Sequence, residues 1–323
     1  MKSIGVLTSG GDAPGLNACI RSVVRACAYH GVRCVGIHDG FEGLIAGSFE
    51  DLDAEYVTDL IRRGGTVLKS TRSERFSTPH GRALAFEQLT RQDVDGLVVL
   101  GGDGSFRGAR AFLTEHAVPL VAVPKTIDND VAGTDFSIGY DTACNTAMEA
   151  MDRIRDTAES HNKIFFVEVM GRDAGFIAFR SGLSVGAEAI YIPETHNDLD
   201  HLYSLIESNR IGRRHSILVV VAEGDEGGGA AQLAKDVTAR YPHYDARVSV
   251  LGHIQRGGSP SCADRVLASK LGVAAVNALL EGKSDVMVGE IAGATRVSPL
   301  SQGIKRRLDI TNDLSFLLRV LSD

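Results

Sequence analysis

The residues best suited to chemistry lie in two short loops, Gly101-Gly102-Asp103-Gly104-Ser105 and Pro124-Lys125-Thr126-Ile127-Asp128-Asn129-Asp130, each directly after an apolar run. In the first, the paired glycines let backbone N–H groups approach an anion with no Cβ in the way. Ser105 is expected to open a helix, and a helix N-terminus attracts phosphate through its unpaired N–H groups and positive dipole end. Asp103 would repel that phosphate unless a divalent cation sits between them, which makes it a candidate Mg2+ ligand, direct or through water. In the second loop, one of Asp128 and Asp130 can take a proton from an attacking hydroxyl while the other holds metal or the loop itself. Either loop alone fits ordinary turn chemistry. Occurring after successive strands, where α/β folds bind ligands at strand carboxyl ends, the two together describe a phosphoryl-transfer site, with a donor on one and an activated acceptor on the other.

The elements that must position these loops follow from apolar patterning. Short β-branched runs at Ile4–Leu7, Leu97–Leu100, Leu120–Val123, Ile164–Val169, Ala189–Ile192 and Ile217–Ala222 read as buried parallel strands. Between them, helical spacing of apolar residues predicts helices over about 15–29, 105–115, 142–157 and 263–280. Pro124 pushes Val123 into an extended conformation and ends its strand. This alternation means βαβ units, and no internal repeat or Pro/Ser-rich linker interrupts it.

Composition narrows the function classes. The chain has 323 residues, enough for two α/β domains or one large one. A net charge of −7 and the absence of Trp argue against a nucleic-acid surface, so no nucleic-acid partner is expected. The longest apolar runs are strand-length and no basic leader precedes the first strand, so a cytoplasmic protein with no membrane partner is expected. Five cysteines, Cys19, Cys27, Cys34, Cys144 and Cys262, show no CxxC spacing and are expected as buried free thiols.

The segments Gly5-Val6-Leu7-Thr8-Ser9-Gly10-Gly11-Asp12-Ala13-Pro14-Gly15, Gly101–Ser105, Pro124–Asp130, Val167-Glu168-Val169-Met170-Gly171-Arg172 and Leu251-Gly252-His253-Ile254-Gln255-Arg256-Gly257-Gly258 together closely resemble the bacterial 6-phosphofructokinase family, in order and over nearly the whole chain. The resemblance implies two Rossmann-like, three-layer α/β/α domains with mainly parallel sheets. Residues 1–139 and 255–305 would bind nucleotide, and 140–254 and 306–323 would bind sugar phosphate. The implied reaction carries the γ-phosphoryl of ATP to the 1-hydroxyl of fructose 6-phosphate, with Mg2+ as cofactor.

By the same resemblance, Asp128 is the catalytic base, Thr126 orients the reacting groups, and Arg172 and Arg72 stabilise the transferring phosphoryl group, for which forked guanidinium donors are suited. The nucleotide pocket carries over to Gly11, Arg72, Gly102, Asp103, Gly104, Ser105 and Gly108, with Asp103 the metal ligand. Sugar-phosphate binding carries over to Thr126, Asp128, Asp130, Lys163, Met170, Gly171, Arg172, Glu223, Arg247, His253 and Arg256. Lys163 and Arg247 match residues that reach across a subunit interface, which implies a homotetramer. Lys163 stands where the family usually has Arg, a point charge in place of a fork. Arg21, Arg25, Arg155, Arg213 and Arg214 match an effector pocket for ADP or phosphoenolpyruvate, while Ala54 stands where Arg is common, so altered regulation is expected.

Two positions point in opposite directions on the donor. Gly104 resembles ATP-using relatives, since pyrophosphate users tend to place Asp there. Lys125 resembles the pyrophosphate-dependent enzymes, in which Lys replaces the Gly typical of bacterial ATP enzymes. Steric exclusion favours ATP, because a missing side chain cannot exclude the larger donor. The competing readings are a pyrophosphate-dependent phosphofructokinase, a kinase of the NAD or lipid type, and a catalytically silent sugar-phosphate sensor on the same fold. The segments from Val167 and Leu251 argue against the NAD or lipid type, and the presence of Asp103, Asp128 and Arg172 argues against the sensor.

Overall fold

Runs in which every residue is apolar can be accommodated only where both faces of a strand are covered, and the first unit of the structure is built around such strands. The structure, a computed structural model, describes residues 1–161, 163–195, 199–211, 216–225, 227–309 and 320. In chain order the elements are β1 (Ser3–Thr8), α1 (Leu16–Tyr29), β2 (Arg33–Ile37), α2 (Gly40–Ala46), β3 (Phe49–Leu52), α3 (Pro79–Arg91), β4 (Gly96–Gly101), α4 (Asp103–Glu115), β5 (Leu120–Pro124) and α5 (Tyr140–His161). They continue with β6 (Ile164–Val169), α6 (Phe176–Ser184), β7 (Ala189–Tyr191), α7 (Leu199–Ile211), β8 (Ile217–Ala222), α8 (Gly229–Arg240), β9 (Ala246–Val250), α9 (Cys262–Leu280), β10 (Val286–Ile291) and β11 (Ala294–Pro299).

Two compact units result. One comprises Met1–Thr142 and Arg256–Lys305, the other Ala143–Gln255 with the described residues from Arg306 on. The first holds a seven-stranded sheet in the order β11-β10-β5-β4-β1-β2-β3. Its five central strands are parallel, and antiparallel β3 and β11 form the edges. Leu16, Ile20, Val23 and Val24 of α1 pack with Leu271, Ala275 and Leu279 of α9 against one face. Phe41, Leu89, Phe106 and Phe112, from α2, α3 and α4, pack against the other, so the unit has three layers.

In the second unit the four strands run β7-β8-β6-β9, all parallel. Leu202 and Ile206 of α7 and Leu233 and Val237 of α8 close over Phe166, Val219 and Val221. No helix among the described residues is long and apolar enough to cross a membrane.

Three local differences from the sequence expectations have simple causes. Gly102 is extended (φ −104°, ψ −169°) and caps α4, so the helix opens at Asp103 rather than Ser105; an acid at that first position favours the helix dipole. Strands β2, β3, β9, β10 and β11 were not signalled by apolar runs, because they are short, polar at one end or exposed along a sheet edge. Cys262 is exposed at the start of α9, while the other four thiols are buried.

Candidate active site

Strand order fixes where a ligand can sit in each unit. In the first, β1 is flanked by β2 and β4, and the chain leaves β1 into α1 on one face and β4 into α4 on the other. The loops after these two strands therefore separate and open a crevice at the carboxyl edge of the sheet, the usual ligand site of a doubly wound fold. The two loops are tied at their base. Ser9 N–H donates to Leu100 O at 2.9 Å, and the Ser105 hydroxyl donates to Ser9 Oγ at 2.8 Å. Gly102, Asp103, Gly104 and Ser105 occupy the start of α4, with N–H groups directed to the crevice mouth.

A Cβ built at Gly104 would meet only the Arg107 guanidinium, at 3.8 Å, so the space over this turn is open. Gly108, one turn on, faces the stacked rings of Phe76 and Phe41, whose centroids are 4.0 Å apart. Arg72 is exposed on a segment strapped over the loop after β1: the Ser70 hydroxyl donates to Gly10 O and the Thr8 hydroxyl to Lys69 O, both at 2.5 Å. Arg256 lays its guanidinium against Gly11 and donates to Asp12 O at 3.4 Å.

The loop after β5 joins the same edge. Lys125 N–H donates to Gly101 O at 2.9 Å, and the Thr126 hydroxyl accepts from Asp128 N–H at 3.1 Å. Asn129 adopts a left-handed conformation (φ 52°), which Asn tolerates well, and its buried amide donates to Asp135 O and accepts from Ser137 N–H. Flanking it, Asp128 and Asp130 are both buried. Burial, reinforced by the Asp128 and Asp103 charges, pushes the Asp130 carboxyl up to about 6, with Lys305 pulling it partly back. Asp103, Asp128 and Asp130 therefore share one electrostatic neighbourhood.

Lys125, the position that resembles the pyrophosphate-dependent enzymes, is turned into the protein. Its ammonium donates to Ser9 O at 2.9 Å and to Gly11 O, and the residue is only 3% exposed.

In the second unit, Met170, Gly171 and Arg172 follow β6, Glu223 follows β8 and His253 follows β9, all at the carboxyl ends of their strands. One Glu223 oxygen accepts from Arg172 N–H at 2.9 Å and Gly171 N–H at 3.4 Å, so this carboxylate fixes the turn after β6. Gly224 must be glycine here, since a Cβ would lie 1.7 Å from Arg172 O. Arg172 is exposed with φ 53°, a conformation that costs an ordinary residue about 1 kcal/mol and marks a constrained position. His253 is exposed rather than a core histidine. Lys163 and Arg247 converge on Asp245, at 3.2 and 2.9 Å.

Of the expected effector residues, Arg21 and Arg25 lie one turn apart on α1. Arg155 is engaged by Glu188 and by the Val185 and Gly186 carbonyls. Arg213 and Arg214 lie outside the described residues. Ser9, Arg107, Asp245, Gln255 and Lys305 were not singled out in the sequence. Arg107 pairs with Asp103 at 2.9 Å, an i,i+4 spacing that was readable. Gln255, fully buried, accepts from Met170 N–H and donates to Gly252 O, and nothing in its local sequence signals this.

The profile of the family described as Phosphofructokinase matches residues 3–279. The chain is 52% identical over 322 residues to a Thermus thermophilus protein named ATP-dependent 6-phosphofructokinase 1, covering all of both chains. It is 48% identical over 322 residues to ATP-dependent 6-phosphofructokinase 2 of Bacteroides thetaiotaomicron, covering 100% of this chain and 99% of that one. Among solved structures, phosphofructokinase from Saccharomyces cerevisiae superposes with a TM-score of 0.89 at 31% identity, covering 99% of this chain and 46% of that one. With that extent of match, the chain belongs to the phosphofructokinase family.

Proposed function

We propose that this chain is an ATP-dependent 6-phosphofructokinase, transferring the γ-phosphoryl of ATP to the 1-hydroxyl of fructose 6-phosphate in glycolysis. The observation that carries the reading is the shared carboxyl edge, where the glycine turn at 101–105 and the Asp128 loop lie on adjacent strands β4 and β5. The first loop and the α4 N-terminus bind the donor phosphates through backbone N–H groups. Asp128 takes the hydroxyl proton as the loose, metaphosphate-like transition state develops, with its backbone held by Thr126. Arg72 and Arg172 stabilise the charge on the transferring group. Glu223, Met170, His253 and Arg256 bind the sugar phosphate.

The carboxylates suit a hard divalent cation, and we assign Mg2+ to Asp103. Asp128 and Asp103 both raise Asp130, a repulsion that a nearby cation relieves. Among the described residues no three acidic, His or Cys side chains are gathered closely enough to hold an ion alone, so phosphate oxygens and water would have to supply its other ligands. Bound Mg2+ neutralises charge on the transferring phosphoryl group.

A homotetramer with Lys163 and Arg247 serving a neighbouring subunit's site is supported by the exposed residues Val248 and Val250 on edge strand β9, beside Arg247. ADP or phosphoenolpyruvate is the effector class suited to Arg21, Arg25 and Arg155. Lys125 is the observation that favours the pyrophosphate-dependent reading. Its ammonium is turned to the Ser9 and Gly11 carbonyls, however, while the space over Gly104 stays open. A coupled assay following fructose 1,6-bisphosphate, run with ATP and with pyrophosphate, tests the assignment; no product with either donor sinks it.

A further inference from the structure

Lys125 is buried, and its ammonium donates into the backbone of the loop after β1. A buried ammonium is costly unless its N–H groups are bound, and two carbonyls, Ser9 O and Gly11 O, bind it here. Every peptide bond in the described structure is trans, so each carbonyl points opposite to the N–H of the residue that follows. Drawing Ser9 O and Gly11 O onto the ammonium therefore turns the N–H groups of Gly10 and Asp12 away from it. Among the described residues, neither of these N–H groups donates to a protein acceptor.

Gly10 is left-handed (φ 85°), the conformation that lets successive N–H groups form an anion-binding concavity. A Cβ there would stand 3.6 Å from Lys125 Nζ and 3.7 Å from the Ser105 hydroxyl, so the ammonium lies directly behind the turn that meets α4. The Lys125 backbone is itself anchored, its N–H donating to Gly101 O. One residue thus joins the loops after β1, β4 and β5.

We propose that Lys125 is a positioning residue. Its ammonium holds the Ser9–Gly11 carbonyls inward and so presents the Gly10 and Asp12 N–H groups to the phosphates of the donor, which makes Lys125 a brace for ATP binding and not a determinant of pyrophosphate use. The inference rests on the donor site assigned above and goes beyond it in giving Lys125 its role.

The test compares unmutated protein with Lys125→Gly and Lys125→Met, reading the equilibrium Kd for ATP with Mg2+ by calorimetry alongside KM for both substrates. Glycine is the residue that the resemblance places here in bacterial ATP enzymes, so that variant is expected to fold; the uncharged, similarly sized Met variant reports the same comparison independently. Losing two charge-assisted bonds predicts an ATP Kd about tenfold higher in both variants, with fructose 6-phosphate affinity within about twofold. Ammonium, but not sodium at equal ionic strength, restores part of the loss in Lys125→Gly by entering the vacated space. An ATP Kd within about twofold of the unmutated value, or an equal fall in fructose 6-phosphate affinity, overturns the proposal. Failure of the functional reading is distinct: there, unmutated protein gives no fructose 1,6-bisphosphate with ATP.

Discussion

At the scale of single residues, the paired carboxylates carry separable roles. Asp128→Ser removes the proposed base, and turnover is expected to fall by about two to four decades, with fructose 6-phosphate KM nearly unchanged in steady-state assays. Near-normal turnover would move the base elsewhere. Asp130 should show itself in stability. Its carboxyl is pushed from 3.8 to about 6 by burial, Asp128 and Asp103, so the folded state holds that proton more tightly than the unfolded one. The cost of ionising it is absent below pH 3.8, grows across the window to about 6 and is complete above it, reaching about 3 kcal/mol. Asp130→Asn in chelator is therefore expected to raise Tm at pH 8 and leave it unchanged near pH 4; an equal effect at both pH values would contradict this. At Gly104 the open space means that Asp fits without strain, and an acid in the first turn of α4 suits the dipole. Gly104→Asp should keep its Tm and lose ATP use, checked by thermal unfolding beside donor kinetics.

At the scale of elements, the sequence shows most where a strand is covered on both faces. Strands β1, β4, β5 and β8 carry continuous apolar runs, β6 is apolar but for Glu168, and the loops at their carboxyl ends hold the glycine turn, the Asp128 loop and the Met170–Arg172 turn, so both were legible. Edge strand β9, half-exposed with Arg247 and Ser249 in its span, carries no such signal. Contacts made across long sequence separation were equally silent. Lys305 beside Asp130 and Gln255 under Met170 depend on how distant segments return to a sheet edge. Asp264 is another such case. Fully buried in the first turn of α9, it accepts from Gly139 N–H and Thr142 N–H at 2.8 Å and from the Thr142 hydroxyl at 2.5 Å, and so caps the start of α5. Asp264→Ala strands these donors and is expected to cost about 3 kcal/mol, measured by denaturant unfolding. A loss below about 0.5 kcal/mol would mean that water replaces the cap.

At the scale of the whole molecule, the chain's order of motifs was sufficient to indicate the family, and 52% identity along its full length to a protein named as an ATP-dependent 6-phosphofructokinase supports the same donor as Gly104. What single residues left in conflict was the donor, because Gly104 resembles the ATP users and Lys125 the pyrophosphate-dependent enzymes. The Lys125 ammonium lies behind the Ser9–Gly11 backbone, a direction that no linear pattern reveals. The central claim is therefore tested by supplying the purified protein with fructose 6-phosphate, Mg2+ and either ATP or pyrophosphate, and measuring fructose 1,6-bisphosphate formed. Robust product with ATP and little with pyrophosphate is the expected result; product with pyrophosphate and none with ATP would contradict it.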